Sequence, residues 1–230
     1  MNSTADLPAS VLDGLLAARH SCRAYLPEPV ERDVLARIFE TAQRTSSWCN
    51  SQAWQVSVTS GDATERLRSA LLEAAGTGAS GGSDFPFPEA YTGVYLERRR
   101  ECGFRLYNAV GVERGDKAGY ARQTLENFRL FGAPHVAILT SDRGLGVYGA
   151  VDVGGYVQVL LLAMQAHGVA AIPQAALTHH SALIKSQLGI APERQMVCGI
   201  SFGYEDTAHP ANSFRTSRAP VSEVVSWVDG

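Results

Sequence analysis

Few of the features that announce a specialised chemistry are present in this 230-residue chain. Its four cysteines, Cys22, Cys49, Cys102 and Cys198, form no C-x-x-C pair and show no Cys/His ligand spacing. That excludes a disulfide framework and a metal site such as zinc, and predicts buried thiols. A hydrolase built on Cys49 would need a partner His and an Asp or Asn, and none can be assigned. Basic residues do not exceed acidic ones (20 against 23), and no basic stripe is interleaved with aromatics, so nucleic acid is not an expected partner. Met1–Asp6 lacks the basic and apolar regions of a secretory signal. The most apolar run, Val157 to Ala166, is interrupted by Gln158 and Gln165 and reads as too short to span a bilayer. A cytoplasmic protein with no membrane partner is the expectation. No internal repeat is present.

What is there suits one sizeable core, so residues 1–230 are expected to form a single α/β or α+β domain. Val11, Leu12, Leu15 and Leu16 give a first helix one apolar face, and Val34, Leu35, Ile38, Phe39 and Ala42 do the same for a second. Gln55–Thr59 alternates as a strand with one buried face, and His135–Thr140 is the clearest strand. Ala150–His167 is apolar on nearly every side and is expected to be buried all round, at the centre of the fold or of a subunit interface. Further helices are expected over Asp62–Ala75, Asp116–Leu130 and Leu177–Gly189, and a strand over Gln195–Tyr204. Val221–Trp227 is β-branched, extended in character and without an evident partner.

Two stretches carry chemistry. Arg19-His20-Ser21-Cys22-Arg23 places two guanidiniums, an imidazole and a hydroxyl within five residues, and Arg215-Thr216-Ser217-Arg218 repeats the pattern near the C-terminus. Arginine forks and short hydroxyls match phosphate oxygens; ordinary surface ion pairs are the alternative. The glycine-rich stretch Gly76–Ser83 reads as a mobile segment and runs into Phe85, Phe87 and Tyr91. It is either an active-site lid over residues 76–107 or a surface loop packing its own rings. Gly144–Gly149 matches G-x-G-x-x-G but lacks the acidic residue a dinucleotide fingerprint requires after the next strand, and is rejected as one.

Six segments in order resemble the nitroreductase family of FMN-dependent flavoproteins. They are the R-H-S-x-[KR] box at Arg19–Arg23, S-x-x-N-x-Q-x-W at Ser47–Trp54, the strand after Ala133-Pro134, the apolar central helix, the turn at Ile172–Ala175, and S-R-x-P at Ser217–Pro220. The resemblance implies an α+β fold in which a central antiparallel-rich sheet is wrapped by helices. It also implies an intertwined homodimer in which residues 219–230 cross to add a strand to the partner's sheet. FMN would lie at the interface. Arg19, His20, Ser21 and Arg23 would hold its phosphate, ribityl and pyrimidine side, with Arg218 and Ser217 closing on the phosphate. Ser46, Ser47, Trp48 and Asn50 would reach it from the partner subunit. Pro173, Gln174 and Ala175 would run beside the isoalloxazine, where a backbone N–H reaches N5, and Arg129 and Asn127 would lie near its N1 and O2 edge.

The implied activity is reduction of nitroaromatics, quinones or related electrophiles by NAD(P)H in a ping-pong sequence, with a small-molecule electron acceptor as partner. No side-chain acid or base is required, because the flavin carries the hydride. Phe85, Phe87 and Tyr91 are the candidate acceptor contacts. Trp48 departs from the family's small residue there and is expected to narrow the cavity or stack near the ring. Relatives of this fold also carry out reductive dehalogenation or flavin fragmentation, and a flavin-binding protein without turnover is a further alternative.

Overall fold

The computed structural model describes residues 7–78 and 81–229; Met1–Asp6, Ala79 and Ser80 of the glycine-rich stretch, and Gly230 lie outside them. Seven α-helices and four strands form among the described residues. In chain order they are α1 (Leu7–Ala18), α2 (Arg32–Ala42), β1 (Trp54–Ser60), α3 (Asp62–Gly76), α4 (Gly93–Ala109), α5 (Lys117–Leu125), β2 (His135–Asp142), α6 (Gly146–Ala166), β3 (Ala170–Gln174), α7 (Ser181–Leu188) and β4 (Arg194–Gly203). The strands make one antiparallel sheet in the order β1-β2-β4-β3, which is the α+β architecture expected.

Alternation along β2 explains why this strand is central. Val136 and Ile138 point to one face, where Leu67 and Leu71 of α3, Leu130, Leu177 and Ile184 cover them. Ala137 and Leu139 point to the other, where α6 contributes Val153, Tyr156, Leu160 and Met164 and α2 contributes Leu35 and Ile38. A strand between two cores must be apolar at consecutive positions, as this one is. Two glycines answer to the resulting close packing. A Cβ on Gly199 of β4 would lie 2.5 Å from Leu177 Cδ1, and one on Gly149 of α6 would fall inside the Ser141 hydroxyl. Gly149, the last glycine of the rejected fingerprint, therefore serves helix-on-strand contact.

Several expectations need correction. Within one chain α6 is not buried all round: Val147, Tyr148 and Val151 are 68%, 58% and 63% exposed, and Gly154 and Gly155 lie on the same face. The face of α1 bearing Leu7, Val11, Leu12 and Leu16 is likewise exposed. Together with Arg143–Leu145, α6 is also long and apolar enough to cross a bilayer by length and composition alone. It packs instead against α2 and the sheet, as a core helix does. The tail does not form a strand within this chain; Val221–Glu223 make one 3-10 turn, and Trp227 beyond it is 81% exposed. Of the cysteines only Cys22 and Cys198 are buried, with burial pushing their thiols up to about 11 and about 12, whereas Cys49 is exposed.

His135, at the start of β2, is buried and its bonding fixes its tautomer. The Val30 N–H donates to Nε2 at 2.9 Å, so Nε2 carries no proton and Nδ1 donates to Ser60 Oγ, 2.8 Å away. Protonating Nε2 would break the Val30 bond inside the core, and burial accordingly lowers this residue's pKa. The unfolded chain then binds the proton more readily than the native one. Stability from this residue is complete above the ordinary histidine pKa of about 6.5 and declines as the pH falls through the lowered folded value. The acid-side slope of unfolding free energy below pH ~6.5 should flatten in a His135→Gln variant; an unchanged slope would show that another group controls it.

Candidate functional site

The two arginine-rich stretches meet. Arg19, at the end of α1, is followed by Ser21 and Cys22, which run beside β3: Ser21 pairs with Ala171, and the Cys22 N–H donates to Ala171 O at 3.3 Å. The C-terminal segment is fastened to the same strip by the buried Asn212. Its Oδ1 accepts from the Arg23 N–H at 2.7 Å, and its Nδ2 donates to Ala24 O and Asp206 O, both at 2.9 Å. Phe214 lies under the Arg23 guanidinium, 5.5 Å from centroid to Cζ. This stitching lets residues 214–218 fold over residues 19–23 and enclose a cavity of about 330 Å3 lined by Arg19, His20, Ser21, Arg23, Arg215 and Arg218.

Its electrostatics are those of an anion site. Burial lowers the pKa of Arg19, and the charge of Arg218 lowers it further. Burial also lowers that of Arg23. No carboxylate pairs with Arg19, Arg23 or Arg218 among the described residues. Arg218 is instead folded over its own segment, donating to Thr216 Oγ1 and Ser217 O at 2.8 Å each. Arg19, partly desolvated and beside the exposed Arg218 with no carboxylate partner, carries a charge that an anion entering the cavity would compensate. His20 is engaged within the chain, with Nε2 3.0 Å from Glu205 Oε1 and Nδ1 3.3 Å from Ala18 O. Ser217 faces a neighbouring cavity of about 780 Å3 between α4 and the C-terminal segment, which shares Cys102, Thr216 and Arg218 with the first.

The remaining candidate residues fall into separate groups. Gln174, at the end of β3, donates to Asn127 O at 3.0 Å and accepts from Ser201 Oγ at 2.5 Å, so its amide is committed and only backbone is left for a ligand. Asn127 and the Pro173-Gln174-Ala175 turn are thus brought together. Arg129 pairs with Glu126 at 3.5 Å and lines a third cavity, of about 510 Å3, that Arg23 also borders. The loop carrying Ser46, Ser47, Trp48 and Asn50 lies against α6: Asp152 accepts from the Trp48 N–H at 3.2 Å and from Ser51 Oγ at 3.0 Å. There Trp48 and Tyr148 stand edge to face at 4.5 Å beside a cavity of about 270 Å3 that none of the arginine box lines.

Phe85, Phe87 and Tyr91 do not line the arginine cavity. Phe87 stacks on His179 at 4.3 Å, and the Arg99 guanidinium lies 5.2 Å from the Tyr91 ring centre. Asp84, between the glycine-rich stretch and these rings, forms a lock that sequence reasoning missed. It meets Lys185 Nζ at 2.9 and 3.0 Å, the Met196 N–H at 2.8 Å and the Ser181 hydroxyl. Asn212 and Phe214 were missed as well; the Asn-x-Phe immediately preceding Arg215 was the available signal.

The chain matches the family model described as "Nitroreductase family" over residues 16–204. It is 38% identical to nitroreductase NfnB of Mycolicibacterium smegmatis over 225 residues, covering 97% of this chain and 95% of that protein. It is 34% identical to the 4-nitrobenzoate reductase of Pseudomonas putida over 90% of each chain. Among solved structures, the FMN-dependent NfnB from Mycobacterium smegmatis in complex with NADPH superposes with a TM-score of 0.92 at 37% identity, covering 96% of this chain and 99% of that one.

Proposed function

The chain belongs to the nitroreductase family, and on that basis we propose that it is an FMN-dependent oxidoreductase that uses NAD(P)H to reduce nitroaromatics, quinones or related electrophiles. The observation that carries the cofactor is the cavity in which the partly desolvated Arg19 and the exposed Arg218 face one another without an acidic partner among the described residues. A phosphomonoester fits that donor set: it supplies the missing charge, and guanidinium forks bind its oxygens in pairs. When bound, FMN supplies the hydride chemistry that links NAD(P)H to the acceptor in a ping-pong sequence.

The chain's own residues then orient and hold. Arg19, Arg23 and Arg218 neutralise the phosphate, with Ser21 as a short donor beside them, whereas Ser217 faces the neighbouring cavity. The His20 ring, held by Glu205, shapes the wall between box and ring. The strip from Ser21 to Ala171 leads to Pro173-Gln174-Ala175, which would run beside the isoalloxazine and would offer it a backbone N–H. Asn127, tied to Gln174, and Arg129 are assigned to the pyrimidine edge.

The reading extends to a cytoplasmic homodimer of single-domain chains. The exposed apolar face of α6, with Gly154 and Gly155 permitting close backbone approach, and the exposed face of α1 both need a cover that a second copy supplies. Ser46, Ser47, Trp48 and Asn50, mounted on α6, then reach the flavin of the other subunit, and the tail from residue 219 crosses to it. Residues 76–107 act as a lid whose Phe85, Phe87 and Tyr91 meet the acceptor. A chain ending at Ala219 should sediment as a monomer and lose its flavin, because the crossing segment goes with it. A stable, FMN-loaded monomer would contradict the exchange.

Steady-state oxidation of NADPH and NADH with 4-nitrobenzoate and with a quinone tests the activity. Turnover with either acceptor is the expected result. Bound flavin with no NAD(P)H oxidation for any acceptor would instead identify a flavin-binding protein.

A further inference from the structure

A hollow of about 520 Å3 is assigned to nothing in the reduction chemistry. It lies between the end of α3, α5 and the 3-10 turn Ala175–His179. Ala75, Leu125 and Phe128 supply apolar wall, and no acidic, lysine or arginine side chain borders it among the described residues. His180 is the exception in polarity. The residue is only 5% exposed, packs its ring against Phe128 at 5.0 Å and 78°, and makes no ring-nitrogen hydrogen bond among the described residues. Its ring nitrogens are not among the buried polar atoms left unsatisfied, so the ring meets solvent in the hollow, where the polar group of a ligand can replace water. Thr124 and His179 are the other polar side chains on the wall; the Thr124 hydroxyl proton is already donated to Tyr120 O at 2.9 Å, leaving acceptor lone pairs, and the His179 ring stacks on Phe87.

We propose that this hollow is a second ligand site, taking a small uncharged aromatic molecule that carries an N–H or O–H donor and bonding it to the His180 ring. Absence of charged walls selects an uncharged ligand. The Phe128 and His180 rings select a flat one, as Phe87 stacking on the adjacent His179 illustrates. Acceptor lone pairs on Thr124 and a neutral imidazole select a donor substituent. Burial, and then neighbouring His179, push the His180 pKa down, in keeping with an uncharged ring. Aryl hydroxylamines and anilines, to which nitro reduction leads, belong to this class. That identification rests on the proposed reduction, whereas the site itself does not.

The test titrates aniline into FMN-loaded full-length protein without NAD(P)H, following the ring nitrogens of labelled histidines by NMR. A saturable shift of the His180 resonance is expected. Loss of one neutral hydrogen bond should weaken binding about fivefold, both for aniline in His180→Phe and for toluene, which lacks the donor, in the unchanged protein. Ala121→Trp, on the exposed surface of α5 at the mouth of the hollow, should weaken aniline at least as much by filling it. Aniline affinity unchanged in Ala121→Trp overturns the proposal, whether or not His180→Phe folds. So does binding that perturbs the flavin absorption and leaves His180 unmoved, which would place the molecule against the flavin. Because no turnover is measured, failure of the reductase reading leaves this outcome separately readable.

Discussion

Replacing Arg19 by alanine should weaken FMN binding by about one to two orders of magnitude, the loss of a charge-assisted contact of roughly 1.5–3 kcal/mol. The same change should leave the flavin-free protein as stable as before or slightly more so. Arg19 is desolvated and faces Arg218, so without an anion its charge is a burden on the fold. An arginine in an ordinary structural ion pair would behave in the opposite way, costing stability and sparing the cofactor. Arg19→Lys should fall between, because it keeps the charge and loses the planar fork. Fluorescence titration of FMN gives the affinity, thermal unfolding of the apoprotein gives the stability, and saturating FMN should restore most of the turnover. Unchanged FMN affinity would remove Arg19 from the phosphate site.

The second large effect lies at Asp84. Both it and Lys185 are 12% exposed in their side chains, so removing the carboxylate strands a buried ammonium as well as the Met196 N–H and the Ser181 hydroxyl. Breaking one partner of such a pair costs about 3–5 kcal/mol, and Asp84→Ala should lower the unfolding free energy by that amount. Burial alone would raise this carboxyl's pKa, but the donors from Ser181, Met196 and Lys185 outweigh it and hold the value below the ordinary one. Asp84 therefore contributes stability that is complete above the ordinary carboxylate pKa of about 4 and is lost as the pH falls through the lowered folded value. Chemical denaturation of the two proteins at neutral pH and at low pH measures the effect. A gap that does not narrow in acid would mean that Asp84 acts by packing alone.

How much of this was legible in the sequence depended on whether a signal was periodic or positional. Val136–Leu139 reads as a strand because it is apolar at consecutive positions, and the structure uses both of its faces. The arginine box was visible as chemistry, and its convergence with Arg218 follows from Asn212, a single amide whose three hydrogen bonds have no sequence period. Asp84 escaped for the same reason: it sits in a Gly- and Pro-rich stretch where local composition suggests mobility, while its partners lie about 100 residues away, on α7 and β4. The expectation for α6 left open the centre of the fold or a subunit interface, because hydropathy reports that a face needs burying and cannot say by which molecule. Val147, Tyr148 and Val151 remain exposed here. His180 carried no signal at all, since only the fold puts Phe128 and Thr124 around it.

The central claim is that this chain passes electrons from NAD(P)H to an acceptor through one bound FMN. Anaerobic titration of the purified yellow protein tests it most directly. One equivalent of NADPH or NADH per flavin should bleach the oxidised absorption, and a nitroaromatic added afterwards, with the nucleotide already consumed, should restore it. A flavin that neither nucleotide bleaches, or that a nitroaromatic or quinone cannot reoxidise, would contradict the account.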